Sequence, residues 1–437
     1  MKYYFLSLAS LTLLFFSSTT AINAVSENDP FEKIQEGMQN CGFDPAISTG
    51  SNSQDNQKAE TYCKRSLLYI RAKKLERAID SLTSAIEIDP NYTESYMLRG
   101  ALYLQQQQPE RAIADLNRAV ELAPNYTQPY LFRAAYYTYY KQWQQALANY
   151  NRIVEIEPDK AESYIYRAGY HGIRKQWDEM EADFERAIEA EPNNVDPYFS
   201  RASFYISQKQ WDKALADYNR GIELDESNPN LYLNRGIVYA RKQQWDKALA
   251  DYGRAVALAP DLAKAYFGRG RIYFQQQQWD KASSELQQAL ELNPKIVEAA
   301  LLQGFLYHQK ENYAAALSHY EQAIASHNDS ENISENTVNI APAFNNIGLI
   351  KYEMGATDEA IQNFQSAIKE DEKLTESKLA LATALYSQGE SDRAIELAQT
   401  ALISDRKYAD VRYLKENLWG EKMIGDAQKL LSSLELE

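Results

Sequence analysis

The chain has 437 residues, 45% hydrophobic and 24% charged, enough to bury a sizeable core. Its 61 acidic and 46 basic side chains leave a net charge of -15 at pH 7. That balance repels phosphate backbones and anionic lipid surfaces; it argues against nucleic acid as a partner and leaves membranes only an indirect one, through other proteins.

The chain opens MKYYFLSLASLTLLFFSSTTAINA, with Lys2 ahead of an apolar run from Phe5 to Phe16 and small residues after it. A membrane-spanning helix needs about 20 apolar residues, more than this run supplies. The pattern reads as a secretory signal peptide over residues 1–24, cleaved after Ala21 or Ala24, with an uncleaved anchor as the other reading. Export would place the chain in the periplasm, outside the cell or at the envelope, the thylakoid lumen included. Residues 25–58 form a polar lead-in: a short helix after Pro30, then the Ser/Asn/Gln-rich linker STGSNSQDNQK. The two cysteines, Cys41 and Cys63, permit a disulfide in an exported chain, worth about 3 kcal/mol in the chain-entropy model. Two unrelated thiols are the alternative.

From Ala59 onward the sequence repeats. Small residues fall at Ala78, Ala112, Ala146, Ala214, Ala248, Ala282 and Ala316, each 34 or 68 apart, with Met180 in the one gap. Pro90, Pro124, Pro158, Pro192, Pro260 and Pro294 keep the same register. A fixed 34-residue period marks stacked helix–turn–helix units. In Tyr198 to Glu226, Tyr198, Ala202 and Tyr205 share one helical face, and Ala214, Leu215, Tyr218 and Ile222 share another. The polar SQKQWDK between them predicts an antiparallel pair.

These residues resemble the tetratricopeptide (TPR) repeat over 59–408. Its aromatic at position 4 matches Tyr62, Tyr96, Tyr130, Tyr164, Tyr198, Tyr232 and Tyr266, and its small residue at position 8 matches Gly100, Ala134, Ala168, Ala202, Gly236, Gly270 and Gly304. His171 stands where position 11 otherwise carries Tyr, and reads as a satisfied core histidine. The resemblance implies an all-α, right-handed superhelical solenoid of about ten repeats: eight over 59–330, an inserted loop at 331–340, two over 341–408, and a C-terminal cap over 409–437. The cap resembles, over a short stretch, the C-terminal ends of cyanobacterial TPR proteins. Cys63 takes position 5 of repeat 1, so a Cys41–Cys63 bridge would fold the lead-in over the mouth of the groove that this face forms in the family.

Arg recurs at position 7 in seven consecutive repeats, and an acidic or amide residue at position 23 in repeats 2 to 7. Their co-occurrence predicts a ladder of ion pairs, among them Arg99 with Asp115, Arg201 with Asp217 and Arg235 with Asp251; an anion-binding row is the weaker reading. Trp143, Trp177, Trp211, Trp245 and Trp279 stand in the inter-helix turns and read as packing aromatics, with a sugar-stacking row as the alternative. Positions 2, 5, 9, 12 and 13 line the concave face in the family. They offer a partner protein Leu131, Tyr139, Ile165, Phe199, Ile206, Leu233, Ile237, Phe267, Arg271, Phe274, Leu301 and Phe305, a surface suited to an extended peptide or a helix. The clamp that some TPR proteins use for chaperone C-termini is not assembled: Asn234 and Lys264 match singly, and Gly268 replaces the required Arg. His327, Asp329 and Glu331 in the insertion read as a solvated loop and not a metal site. The sequence holds no catalytic motif, no Gly-rich phosphate loop and no metal-spaced Cys/His set. The reading is therefore an exported, non-catalytic scaffold without cofactors that holds another protein during envelope assembly. A periplasmic module of polysaccharide export and a carbohydrate-binding protein are the alternatives.

Overall fold

A computed structural model describes residues 54–328 and 338–434. The signal segment, Cys41 and most of the insertion lie outside these residues. Among the described residues the fold is all-α: twenty helices form ten antiparallel pairs, and three short elements follow. Contacts divide the chain into two units, one ending at Glu226 and one beginning at Ser227.

The first unit holds repeats 1 to 5. Its pairs are α1 (Gln54–Arg71) with α2 (Leu75–Ile88), α3 (Thr93–Gln105) with α4 (Pro109–Leu122), and α5 (Thr127–Tyr139) with α6 (Trp143–Ile156). Then come α7 (Ala161–Ile173) with α8 (Trp177–Ala190), and α9 (Val195–Ser207) with α10 (Trp211–Leu224). The second unit holds repeats 6 to 10: α11 (Pro229–Arg241) with α12 (Trp245–Leu258), α13 (Ala263–Gln275) with α14 (Trp279–Leu292), and α15 (Val297–Gln309) with α16 (Tyr313–Asn328). After the insertion, α17 (Ala341–Glu353) pairs with α18 (Thr357–Glu370) and α19 (Thr375–Ser387) with α20 (Ser391–Ser404). A 3-10 turn (Arg406–Ala409), α21 (Val411–Glu416) and α22 (Glu421–Ser433) end the chain. The expected C-terminal cap over 409–437 thus holds two helices, because the chain leaves the first one through Leu418, whose φ is 66°.

Each pair is closed by the same turn. The first helix ends when one residue enters the left-handed region: Lys73, Gln107, Lys141, Lys175, Lys209, Gln243, Gln277 and Glu311 all have φ between 55° and 58°. Flanking bonds such as Gln107 N to Leu104 O (2.9 Å) and Gln108 N to Tyr103 O (2.8 Å) cap the helix carbonyls in Schellman fashion. Repeats 9 and 10 put Gly355 and Gly389 there instead. The second helix stops at a cap residue followed by Pro in most repeats, and that Pro has a second use: its carbonyl accepts a hydrogen bond from the position-4 tyrosine, as in Tyr96 to Pro90, Tyr130 to Pro124 and Tyr198 to Pro192, each 3.1 Å.

The core of a pair is small against large. The period-marking alanines are fully buried. Position 8 faces a large side chain on the second helix: a Cβ added at Gly304 would lie 2.7 Å from the Tyr320 ring, and one at Gly348 2.5 Å from the Phe364 ring. Only a small residue lets the helices approach that closely.

Arginine ties the two helices of a pair together, and in repeats 2 to 4 it also ties the pair to the one before it. Arg99 donates to both carboxylate oxygens of Asp115, at 2.7 and 2.9 Å, and its third nitrogen donates to Thr83 of the preceding repeat at 3.1 Å. Arg167 bridges Asp183 (2.6 Å) and Asn151 (3.0 Å), and Arg133 bridges Asn149 (2.8 Å) and Asn117 (3.0 Å). Arg201–Asp217 and Arg235–Asp251 close at 2.7 Å, as does Arg269–Glu285. Planar guanidinium geometry suits this bidentate grip. In repeat 1, where position 23 is Ser81, the Arg65 guanidinium lies over the Tyr62 ring instead.

Candidate functional site

The first helices of repeats 3, 4 and 5 bring Leu131, Ile165 and Phe199 together on one wall of a groove of about 740 Å³. All three occupy position 5, and the 34-residue period carries them onto the same face of successive helices. Tyr126 and Tyr166 add aromatic wall, while Gln128 and Asn194 add amides. Nothing lies within 4 Å of a Cβ built at Gly169, on the first helix of the middle repeat.

The polar lining is one-sided. Glu157, Glu162, Glu191 and Asp196 line the groove against one cation, Lys160. These acids follow the period: Glu157 and Glu191 are 34 apart, as are Glu162 and Asp196. Burial, then Glu162 and Glu157, push the Tyr166 phenol up from its ordinary pKa. Tyr166 donates its hydroxyl to Glu162, and Asn194 donates to Glu191 at 2.7 Å. Ser163 also lines the groove; it is 1% exposed, and its hydroxyl has no hydrogen-bond partner. The sequence reading named the apolar positions and passed over the acids, although their 34-residue spacing was visible.

The other expected binding residues do not gather here. Tyr139 is 59% exposed at the end of α5, its ring edge-on to Tyr140. Ile206, Ile237, Phe267, Arg271 and Phe305 are half-buried, with the Arg271 guanidinium 5.8 Å from the centre of the Phe267 ring. Leu233, Phe274 and Leu301 correct the expectation: they are 5%, 3% and 2% exposed and out of a partner's reach. Phe274 is enclosed between Trp279 and Phe305, with ring centroids 5.3 and 5.4 Å away, and Leu301 lies in the same apolar cluster.

The tryptophans open the second helices and pack singly. Trp143 touches Tyr170 and lies under Arg174, and Trp177 packs on Phe204. His171 is buried, with Nδ1 3.2 Å from Gln176 and Nε2 3.6 Å from Asp183. Cys63 is buried; its proposed partner Cys41 lies outside the described residues, as do Asp329 and Glu331 of the insertion. Among the described residues no group of three or more His, Cys, Asp or Glu is arranged to hold a metal ion, and no helix is long and apolar enough to cross a membrane.

Helix pairs repeating every 34 residues, bound by a periodic arginine ladder and lining a groove with their first helices, define a helical-repeat scaffold. The chain belongs to the tetratricopeptide repeat family: family models described as tetratricopeptide or TPR repeat match residues 59–92, 93–126, 184–216, 202–243, 235–303, 296–373 and 351–418. Comparison with the curated proteins returned no match. Among solved structures it is similar to YrrB, described as a TPR protein with an unusual peptide-binding site, at 24% identity and a TM-score of 0.36, over 44% of this chain and 95% of that one. It is also similar to PilF of Pseudomonas aeruginosa, at 16% identity and a TM-score of 0.43, over 50% and 94%. A tetratricopeptide repeat protein from Parabacteroides merdae gives 19% and 0.40, over 62% and 99%. The family's repeat is generally a non-catalytic scaffold for protein–protein interaction, and the repeats of this chain support an interaction scaffold.

Proposed function

We propose that this chain is an exported scaffold that holds a segment of another protein in the groove formed by repeats 3 to 5, during assembly or maturation of an envelope complex. The observation that carries the reading is the convergence of Leu131, Ile165 and Phe199 on one groove. Three apolar anchors spaced by one repeat each suit an extended or helical segment, with apolar contacts for affinity and polar groups at the rim for register. Export rests on the signal-like pattern of residues 1–24 alone.

The full chain, immobilised, should retain a protein from an envelope extract, and the triple substitution Leu131→Ser, Ile165→Ser and Phe199→Ser should release it. Retention indifferent to this triple change, but lost on Phe267→Ser with Phe305→Ser, would move the site to repeats 7 and 8. Mass spectrometry of the secreted chain tests export: an N-terminus at residue 22 or 25 is expected, and an intact Met1 on a cytoplasmic chain would remove the envelope from the account.

A further inference from the structure

Building on the groove reading above, we infer that the segment held between repeats 3 and 5 is cationic, with lysine or arginine flanking apolar anchors. Three observations converge on this. Four carboxylates stand against one ammonium on the lining of a groove whose apolar wall is Leu131, Ile165 and Phe199. The acids are distributed in register, Glu157 and Glu162 near the middle repeat and Glu191 and Asp196 one repeat later, so a chain running along the groove meets two acid pairs one repeat apart. The third is the Ser163 hydroxyl, 99% buried by its 1% exposure and without a partner, on the same lining. A buried hydroxyl left unpaired costs free energy that a peptide amide or a lysine ammonium would recover.

The alternatives fit less well. A carboxylate-bearing segment would meet like charge at four points, and like-charge juxtaposition costs several kcal/mol at an interface. A neutral apolar segment would bury or crowd the acids without pairing them. Cationic side chains with apolar stems do both jobs: the methylenes of Lys or Arg cover Leu131 and Phe199 while their heads reach the rim carboxylates. The rim acids are largely exposed, so they contribute chiefly to on-rate and selectivity, and their effect is screened by salt.

The test uses the full chain and three synthetic peptides of equal length, with leucine alternating with lysine, glutamine or glutamate, followed by fluorescence anisotropy at low and high salt. The lysine peptide should bind at least 10-fold tighter than the glutamine peptide, and the glutamate peptide should bind weakest. The preference should shrink several-fold at 0.5 M salt. Glu157→Gln, Glu162→Gln, Glu191→Gln and Asp196→Asn together should abolish it while circular dichroism stays unchanged. Equal binding of lysine and glutamine peptides, lost in the Leu131/Ile165/Phe199 triple variant, would overturn the cationic assignment and leave the groove intact. Lysine-peptide binding unaffected by both sets of substitutions would overturn the assignment and the groove together.

Discussion

Arg201 and Asp217 show what one repeat position does energetically. The pair is bidentate, at 2.9 and 2.7 Å, and the carboxylate side chain is 7% exposed. Truncating one member strands a desolvated charge, so Asp217→Ala should cost about 2–4 kcal/mol of unfolding free energy. A urea titration reads the difference; a change under about 0.5 kcal/mol, the size of an ordinary surface substitution, would make the ladder incidental. Gly348 makes a steric prediction. A methyl there meets the Phe364 ring at 2.5 Å, so Gly348→Ala should destabilise by about 1–3 kcal/mol through overpacking. Glu376 makes one about pH. Its carboxylate accepts from Trp419 Nε1 at 3.2 Å, and burial pushes its pKa up to about 7. A folded-state pKa above the unfolded one makes the native state hold a proton that the unfolded state has lost. Its contribution to stability is therefore greatest below pH 4.5 and falls as pH rises to 7. Glu376→Gln should thus stabilise the second unit by about 1–3 kcal/mol at pH 8 and by nearly nothing at pH 4, and a pH-independent difference would contradict the assignment.

At the scale of elements, the period predicted much of what the structure contains: about ten helix pairs, the register of the small residues, and the arginine ladder's spacing. The left-handed turn residue was hidden because lysine, glutamine and glutamate occupy it, where glycine would have marked it. Lys209→Gly should therefore stabilise the first unit by about 0.5–1 kcal/mol, the left-handed penalty less glycine's greater freedom in the unfolded chain. The C-terminal tail was legible as a cap on the last repeat, but its reach to repeat 9 was not. It lies against α17 and α19, with Met423, Ile424, Ala427 and Leu430 buried. Glu353 caps it, accepting from Met423 N at 2.8 Å, while Tyr352 donates to Asp426 at 2.8 Å. The contact spans 70 residues of sequence and follows no period, so repeat reasoning could not find it. Glu353 and Tyr352 are positions 13 and 12 of repeat 9, whereas repeats 3 to 5 line their groove with earlier first-helix positions, 2 and 5 among them. Removing residues 421–437 should speed amide exchange in α17 and α19 and leave repeats 6 and 7 unchanged, since each repeat leans chiefly on its neighbours. Exchange unaltered in α19 would show that the helix is not needed to cover that face.

For the whole molecule, the consequence is a division of labour. The inner face of the last two repeats is covered by the chain's own C-terminal helix, and Leu379, Thr383 and Leu349 beneath it are fully buried. Repeats 3 to 5, among the described residues, present an open groove with apolar anchors and carboxylates. Sequence reasoning reached the anchors through family register but spread the site over six repeats, because register alone cannot separate a position that faces a groove from one that packs on the next helix, as Phe274 does. The most direct measurement replaces Phe199 with a photo-crosslinking phenylalanine analogue, with the same analogue at exposed Ile403 as control. The account predicts one protein adduct from position 199, mapped to a lysine- or arginine-rich segment, weakened by Glu191→Gln with Asp196→Asn and missing from position 403. No adduct at 199, or the same adducts from both positions, would contradict it.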